Sequence, residues 1–235
     1  MSALNILSGG AAQGLVKSLA PAFKAKTGLD IEGEFGAVGA MAGKLREGTP
    51  TDIVILTAAL IADLARENLV AKDSIADVGL VETAMAVRAG DPLVSADDAA
   101  SLRAAFLGAD AIFVPDTTKS TAGIHVAKVL QQLGIADEVA ARLQIHPNGA
   151  TAMRHLAASK AVRPVGCTQS TEIISTPGVL LSGSLPPGCE LATVYTAAVT
   201  SHAAYAAQAR ILIELLAGAD QRELRERAGF LDARK

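Results

Sequence analysis

Two hydrophobic periods take turns along this chain. LNILSGG (4–10) is a short apolar run ending in glycines, as a strand entering a tight turn does. AAQGLVKSLAPAFKAKTG (11–28) follows with Leu15, Val16, Leu19 and Phe23 at helical spacing, and Gly28 suits the helix C-terminus. LDIEGEF (29–35) alternates like a strand, GAVGAMAGKLREG (36–48) restarts a helix closed by Gly48, and TPTDIVILTA (49–58) holds a strand from Ile53 to Leu56. ALIADLARENLV (59–70) is again helical. This β-α-β-α-β-α order predicts a parallel sheet with helices on both faces.

The second half repeats the theme. ETAMAVRAGDP (82–92) is an apolar strand with a turn, SLRAAFLGA (101–109) a helix and AIFVPD (111–116) a strand. RLQIHPN (142–148) and GATAMRHLAASKA (149–161) repeat strand then helix, and VRPVGCTQSTEI (162–173) reads as a strand with a polar exit. PGVLLSGSLPPGCELATVYTAAVT (177–200) holds two strands around a Pro-Pro-Gly turn, SHAAYAAQARILIELLAG (201–218) a long helix, and DQRELRERAGF (220–230) a charged one. The pattern gives two α/β lobes, residues 1–82 with 197–235 and residues 83–196, joined by two chain crossings with the ligand cleft between them.

In open α/β sheets ligands sit outside the carboxyl ends of strands. Five such exits are small, polar or glycine-rich: Ser8-Gly9-Gly10-Ala11, Gly36-Ala37-Val38-Gly39, Asp116 to Thr121, Asn148-Gly149-Ala150 and Cys167-Thr168-Gln169. In TTKSTAGIHVAKVL (117–130), four hydroxyls and Lys119 precede a helix carried by Ile124, Val126, Ala127 and Leu130. A helix start has unpaired N–H groups and the positive end of the dipole. Ser120 and Thr121 therefore either cap the helix or help it hold an anion, and the two roles are compatible.

Composition removes several classes of function. Half of the 235 residues are hydrophobic, but only 3% are aromatic and Trp is absent, so Ala, Val, Leu and Ile make the core. A net charge of -3, with the signs interspersed, offers no basic stripe for nucleic acid, and no aromatic stacking platform is present. No apolar run reaches the roughly 18 residues of a membrane span. Cys167 and Cys189 lack metal-ligand or redox spacing, so no metal, cofactor or disulfide framework is expected. GxSxG, GxGxxG and GxxxxGK[ST] do not occur. MSALNILSGG lacks the basic and long apolar regions of an export signal; the chain as given reads as cytoplasmic, and as periplasmic if a leader has been removed.

FKAKTG, EFGAVGAMAGKLREGTPTD with its Asp52-led strand, STAGIHVAKVLQQLG with Ala122-Gly123, and the Gly229-Phe230 ending appear in the order and spacing of a known family. Over nearly its whole length the chain resembles the molybdate-binding proteins of ABC transporters. The resemblance implies an α/β, two-lobed type 2 periplasmic-binding-protein fold, with mixed, mostly parallel sheets and helices on both faces. It implies lobes that close about a hinge on a small anion, and an ABC permease as partner if the protein is exported. In that family serine hydroxyls and helix-start N–H groups hold the oxyanion, often with a tyrosine. Here Ala11 and Val38 stand where the serines fall, and Gln169 where the tyrosine falls.

A small organic carboxylate is therefore expected in place of molybdate. Its contacts are sought among Ser8, Gly9, Gly10, Ala11, Ala37, Val38, Lys119, Ser120, Thr121, Ala122, Asn148, Gly149, Ala150, Thr168 and Gln169. The alternative is an isomerase of an unsaturated carboxylate such as aconitate, as some proteins resembling molybdate binders are. A helix start would stabilise enolate-like charge, and a base among His125, His146 and Cys167 would move the proton.

Overall fold

The structure is a computed structural model and describes residues 2–232. The elements run β1 (Ala3–Gly9), α1 (Gln13–Thr27), β2 (Asp30–Gly36), α2 (Val38–Arg46), β3 (Ile53–Thr57), α3 (Ala58–Arg66), β4 (Ala76–Arg88), α4 (Ala99–Gly108), β5 (Ala111–Pro115) and α5 (Thr121–Gln132). There follow α6 (Ala136–Val139), β6 (Leu143–His146), α7 (Gly149–Ala157), β7 (Pro164–Gln169), α8 (Ser170–Ile174), β8 (Val179–Ser184), β9 (Ala192–Val199), α9 (Ala206–Ala217) and α10 (Arg222–Arg227). This is the α/β fold that the pattern predicts, with the mixed sheets that the resemblance implies.

The chain divides into two compact units: residues 1–81 with 193–235, and residues 82–192. In unit 1, β1 pairs parallel with β2 and with β3, and β9 returns antiparallel to β3. Leu4, Ile6, Ile53 and Ile55 lie buried in one cluster with Leu15, Leu19 and Phe23, the apolar positions of α1. In unit 2, β5 pairs parallel with β6 and with β7, and β4 runs antiparallel to both β7 and β8.

The pleat divides the unit 2 core between two faces, because successive strand residues point to opposite sides. Met85, Ile112, Val114, Val165 and Cys167 pack with Val126, Val129 and Leu130 of α5. Ala84, Ala86 and Phe113 pack with Met153 and Leu156 of α7 and with Ile173 of α8.

Some boundaries differ from the sequence pattern. The polar tail Ser170–Ile174 is a short helix, and the long C-terminal helix begins at Ala206 after a turn. Pro21 lies inside α1 without ending it.

Candidate functional site

The parallel register of unit 2 aligns three strand exits on one sheet edge. Pro115 of β5 is paired with His146 of β6, and Phe113 with Gly166 of β7, so each strand ends within a residue or two of the others. Asp116, Asn148 and Gln169 all follow at that edge.

At the β5 exit the turn is held by Asp116. Its Oδ1 accepts from Thr118 N (2.7 Å), Thr118 Oγ1 (2.7 Å) and Lys119 N (3.0 Å), and these donors depress its pKa. Ser120 then stands at the N-cap of α5, but its side chain makes no capping hydrogen bond. Of the two roles open to this hydroxyl, capping is the one the structure does not use. Ala122 and Gly123 are buried, and a Cβ at Gly123 would collide with the carbonyl oxygens of Pro115 and Asp116. The first turn of α5 is thus pressed against the strand end. Lys119 is exposed.

Gln169 ends β7 on the α5 side of the sheet. The register pairs Met85 with Cys167 and Thr83 with Gln169, so Thr83 and Gln169 continue the row that packs against α5. Gln169 is 3% exposed, yet neither Nε2 nor Oε1 has a hydrogen-bond partner among the described residues. The hydroxyls of Thr83 and Thr171 are buried in the same condition. A buried polar group without a partner costs about 1–3 kcal/mol.

Thr168 points the other way. Its Oγ1 donates to Glu172 Oε2 at 2.6 Å, and the backbone N–H groups of Gly149, Ala150 and Gln169 donate to the same carboxylate. The start of α7, with Thr168, is therefore occupied by the chain's own Glu172, which the sequence pattern did not single out. Asn148 caps α7 by accepting from Thr151 N at 2.8 Å. The amides of Gly149 and Ala150, expected to face a ligand, face this internal acceptor. Burial raises the Glu172 pKa, and the hydroxyl and N–H donors act against that shift.

Unit 1 presents its own aligned exits. Gly9 is in register with Gly36, and Thr57 is paired with Tyr195 on β9. Ser8 is fully buried and donates its hydroxyl to the Gly9 carbonyl at 2.9 Å, so its proton does not replace the expected serines. Gly10 and Ala11 lie in a buried 3-10 turn. Ala37 is the N-cap of α2, and Val38 opens the helix with a buried apolar side chain. A Cβ on Gly9 would meet both Val38 Cγ1 and Tyr195 Cε1 at 2.8 Å, so glycine is what allows these two to cover the turn. Tyr195 covers the β1 exit, a placement that reasoning from local sequence did not find. Its strand pairs with β3 across more than a hundred intervening residues.

The three candidate bases are differently placed. Cys167 is a correction: its side chain is fully buried in the core and its thiol is pushed up to about 12, so no thiolate is available near neutral pH. His125 Nε2 lies 2.8 Å from the Cys189 carbonyl, tying α5 to the 186–189 turn. His146 stacks on His155 at 4.3 Å between ring centroids, and burial with that neighbour lowers its pKa. Both cysteines are free, and among the described residues no group of three or more His, Cys, Asp or Glu side chains is placed to hold a metal ion.

A family profile described as bacterial extracellular solute-binding protein matches residues 4–231. The chain belongs to that family. The periplasmic molybdate-binding protein of Azotobacter vinelandii has a similar structure, with a TM-score of 0.80, 20% identity, and coverage of 97% of this chain and 98% of that one. The sulfate-binding protein SubI from Mycobacterium tuberculosis H37Rv gives a TM-score of 0.75 at 18% identity, over 100% of this chain and 88% of the other. Both have the two-lobed fold of periplasmic binding proteins, which is the fold of this chain. An aconitate isomerase from Pseudomonas sp is 27% identical over 239 residues, 98% of this chain and 88% of the relative. Binding proteins of this kind take small anions and work with ABC permeases. Among the described residues no helix is long and apolar enough to cross a membrane.

Proposed function

We propose that this solute-binding protein takes a small organic carboxylate, held in unit 2 by the start of α5 and the side chain of Gln169. One observation carries the reading: Gln169 is buried with both its donor and its acceptor unpaired, on the sheet face against which α5 packs. The α5 N–H groups and the Ser120 and Thr121 hydroxyls suit a carboxylate. The Gln169 amide asks for more. Its Nε2 donates, but its Oε1 must accept, and a fully deprotonated tetrahedral oxyanion has no proton to give. An organic acid bearing a hydroxyl group supplies both partners. Unit 1 adds to the case, since Ser8 donates inward and Val38 is apolar, leaving fewer hydroxyls for an oxyanion.

Delivery to an ABC permease is the role in which the family would use such binding. A second reading, isomerisation of an unsaturated carboxylate, is favoured by the similarity to an aconitate isomerase over almost the whole chain. Proton NMR of cis- and trans-aconitate incubated with the protein separates the two, since only the isomerase interconverts them. The site itself is tested by calorimetric titration with the tightest binder among malate, citrate, succinate and the aconitates. Ser120→Ala with Thr121→Val should weaken it about tenfold or more through loss of hydrogen bonds to a charged acceptor. Unchanged affinity would remove the α5 start from the site.

A further inference from the structure

Glu172 is 5% exposed, and its carboxylate is surrounded by donors: the Thr168 hydroxyl and the N–H groups of Gly149, Ala150 and Gln169. Among the described residues, no cationic group figures among the causes of its pKa shift. Backbone amides at a helix start, a hydroxyl and no countercharge are what a free anion meets when it docks on a helix. The backbone is shaped to admit the group, because a Cβ on residue 149 would fall on Glu172 Oε2 and Thr168 Oγ1, and residue 149 is glycine. Glu172 also lies three residues after Gln169, the N-cap of α8, and accepts its N–H as the glutamate of a capping box does. One carboxylate thereby joins the starts of α7 and α8 and fixes the turn from which the Gln169 side chain projects.

We infer that Glu172 is a resident anion. It fills the anion site formed at the start of α7, so that unit 2 offers an incoming ligand the α5 start and the Gln169 amide, but not the α7 amides. It is a positioning residue that limits the number of anionic groups unit 2 accepts. The consequence for the ligand rests on the reading of the site proposed above; the occupancy of the α7 start does not.

Formate is the probe, because it carries the carboxylate and little else. Thermal unfolding is followed in a Ser120→Ala, Thr121→Val background, with and without Glu172→Ala, against sodium formate and with sodium chloride as the ionic control. The Glu172→Ala protein should unfold at a lower temperature and recover saturably with formate, by about 2 °C or more, as binding to a vacated native site requires. The protein that keeps Glu172 should show no rise beyond that with chloride. Equal formate responses in the two proteins, or none in Glu172→Ala, would overturn the inference. If Glu172→Ala does not fold, the isosteric Glu172→Gln decides it by proton–nitrogen NMR. The amide protons of Gly149, Ala150 and Gln169 should move upfield on losing a charged acceptor, and unmoved signals would overturn the inference. A protein that binds no carboxylate at the α5 site would defeat the proposed function and leave the formate result standing.

Discussion

Thr168 and Gln169 are neighbours on β7, and the pleat sends one to an internal carboxylate and the other to a position with no partner among the described residues. That contrast makes Gln169 the residue to alter. Gln169→Leu removes an orphaned amide and retains most of the volume. The ligand-free protein should unfold at the same or a higher temperature, while carboxylate affinity in calorimetric titration falls about tenfold or more. A loss of stability with unchanged affinity would mean that the amide has a structural partner. Glu172 gives a pH signature. Its folded pKa lies above the ordinary 4.5 of a glutamate, so the folded state binds the proton more tightly than the unfolded chain. Its contribution is fully present below the unfolded value and is lost as pH rises from about 4.5 through the folded value. Denaturant midpoints measured across that window should fall more steeply with rising pH in the native protein than in Glu172→Gln. Asp116 acts in the opposite sense: its pKa is depressed by Thr118 and Lys119 donors, so its contribution is lost as pH falls.

At the scale of elements, α5 and the strand before it were readable from sequence because period and composition agree there. Ile112 and Val114 point to one face of β5, and Val126, Val129 and Leu130 line the helix that covers it. The small pair Ala122-Gly123 was readable as a feature, but its reason required the fold: the helix start touches the carbonyls of Pro115 and Asp116. Gly123→Ala should therefore destabilise the protein by about 1–3 kcal/mol, the usual cost of overpacking, as read from the denaturant midpoint. An unchanged midpoint would mean that α5 stands off the strand. The sequence pattern makes Gln-Ser-Thr-Glu at 169–172 the polar exit of a strand, and glutamine is not a typical N-cap residue. The glutamate three positions later was the available signal. Its second role, at the start of α7, was not readable, since a tertiary contact brings Gly149 and Ala150 to it.

Across the whole molecule, the order of strands and helices was enough to predict an α/β fold, because each strand exit opens onto a helix and that order repeats; the binding-protein form of it came from the family resemblance. Local sequence does not carry the antiparallel returns, β9 beside β3 and β4 beside β7, which place Tyr195 over Gly9 and Thr83 beside Gln169. The family is that of solute-binding proteins, and the proposal of a carboxylate ligand draws on the apolar Ala11 and Val38 and on the Ser8 hydroxyl that donates to the Gly9 carbonyl. The most direct test is a thermal-shift panel on the purified protein with molybdate, tungstate, sulfate, phosphate, malate, citrate, succinate and both aconitates. A ligand that binds only the folded state raises the unfolding midpoint. The account predicts a rise with one or more carboxylates, largest for a hydroxy acid, and none with molybdate, tungstate or sulfate. A rise with the tetrahedral oxyanions alone would contradict it.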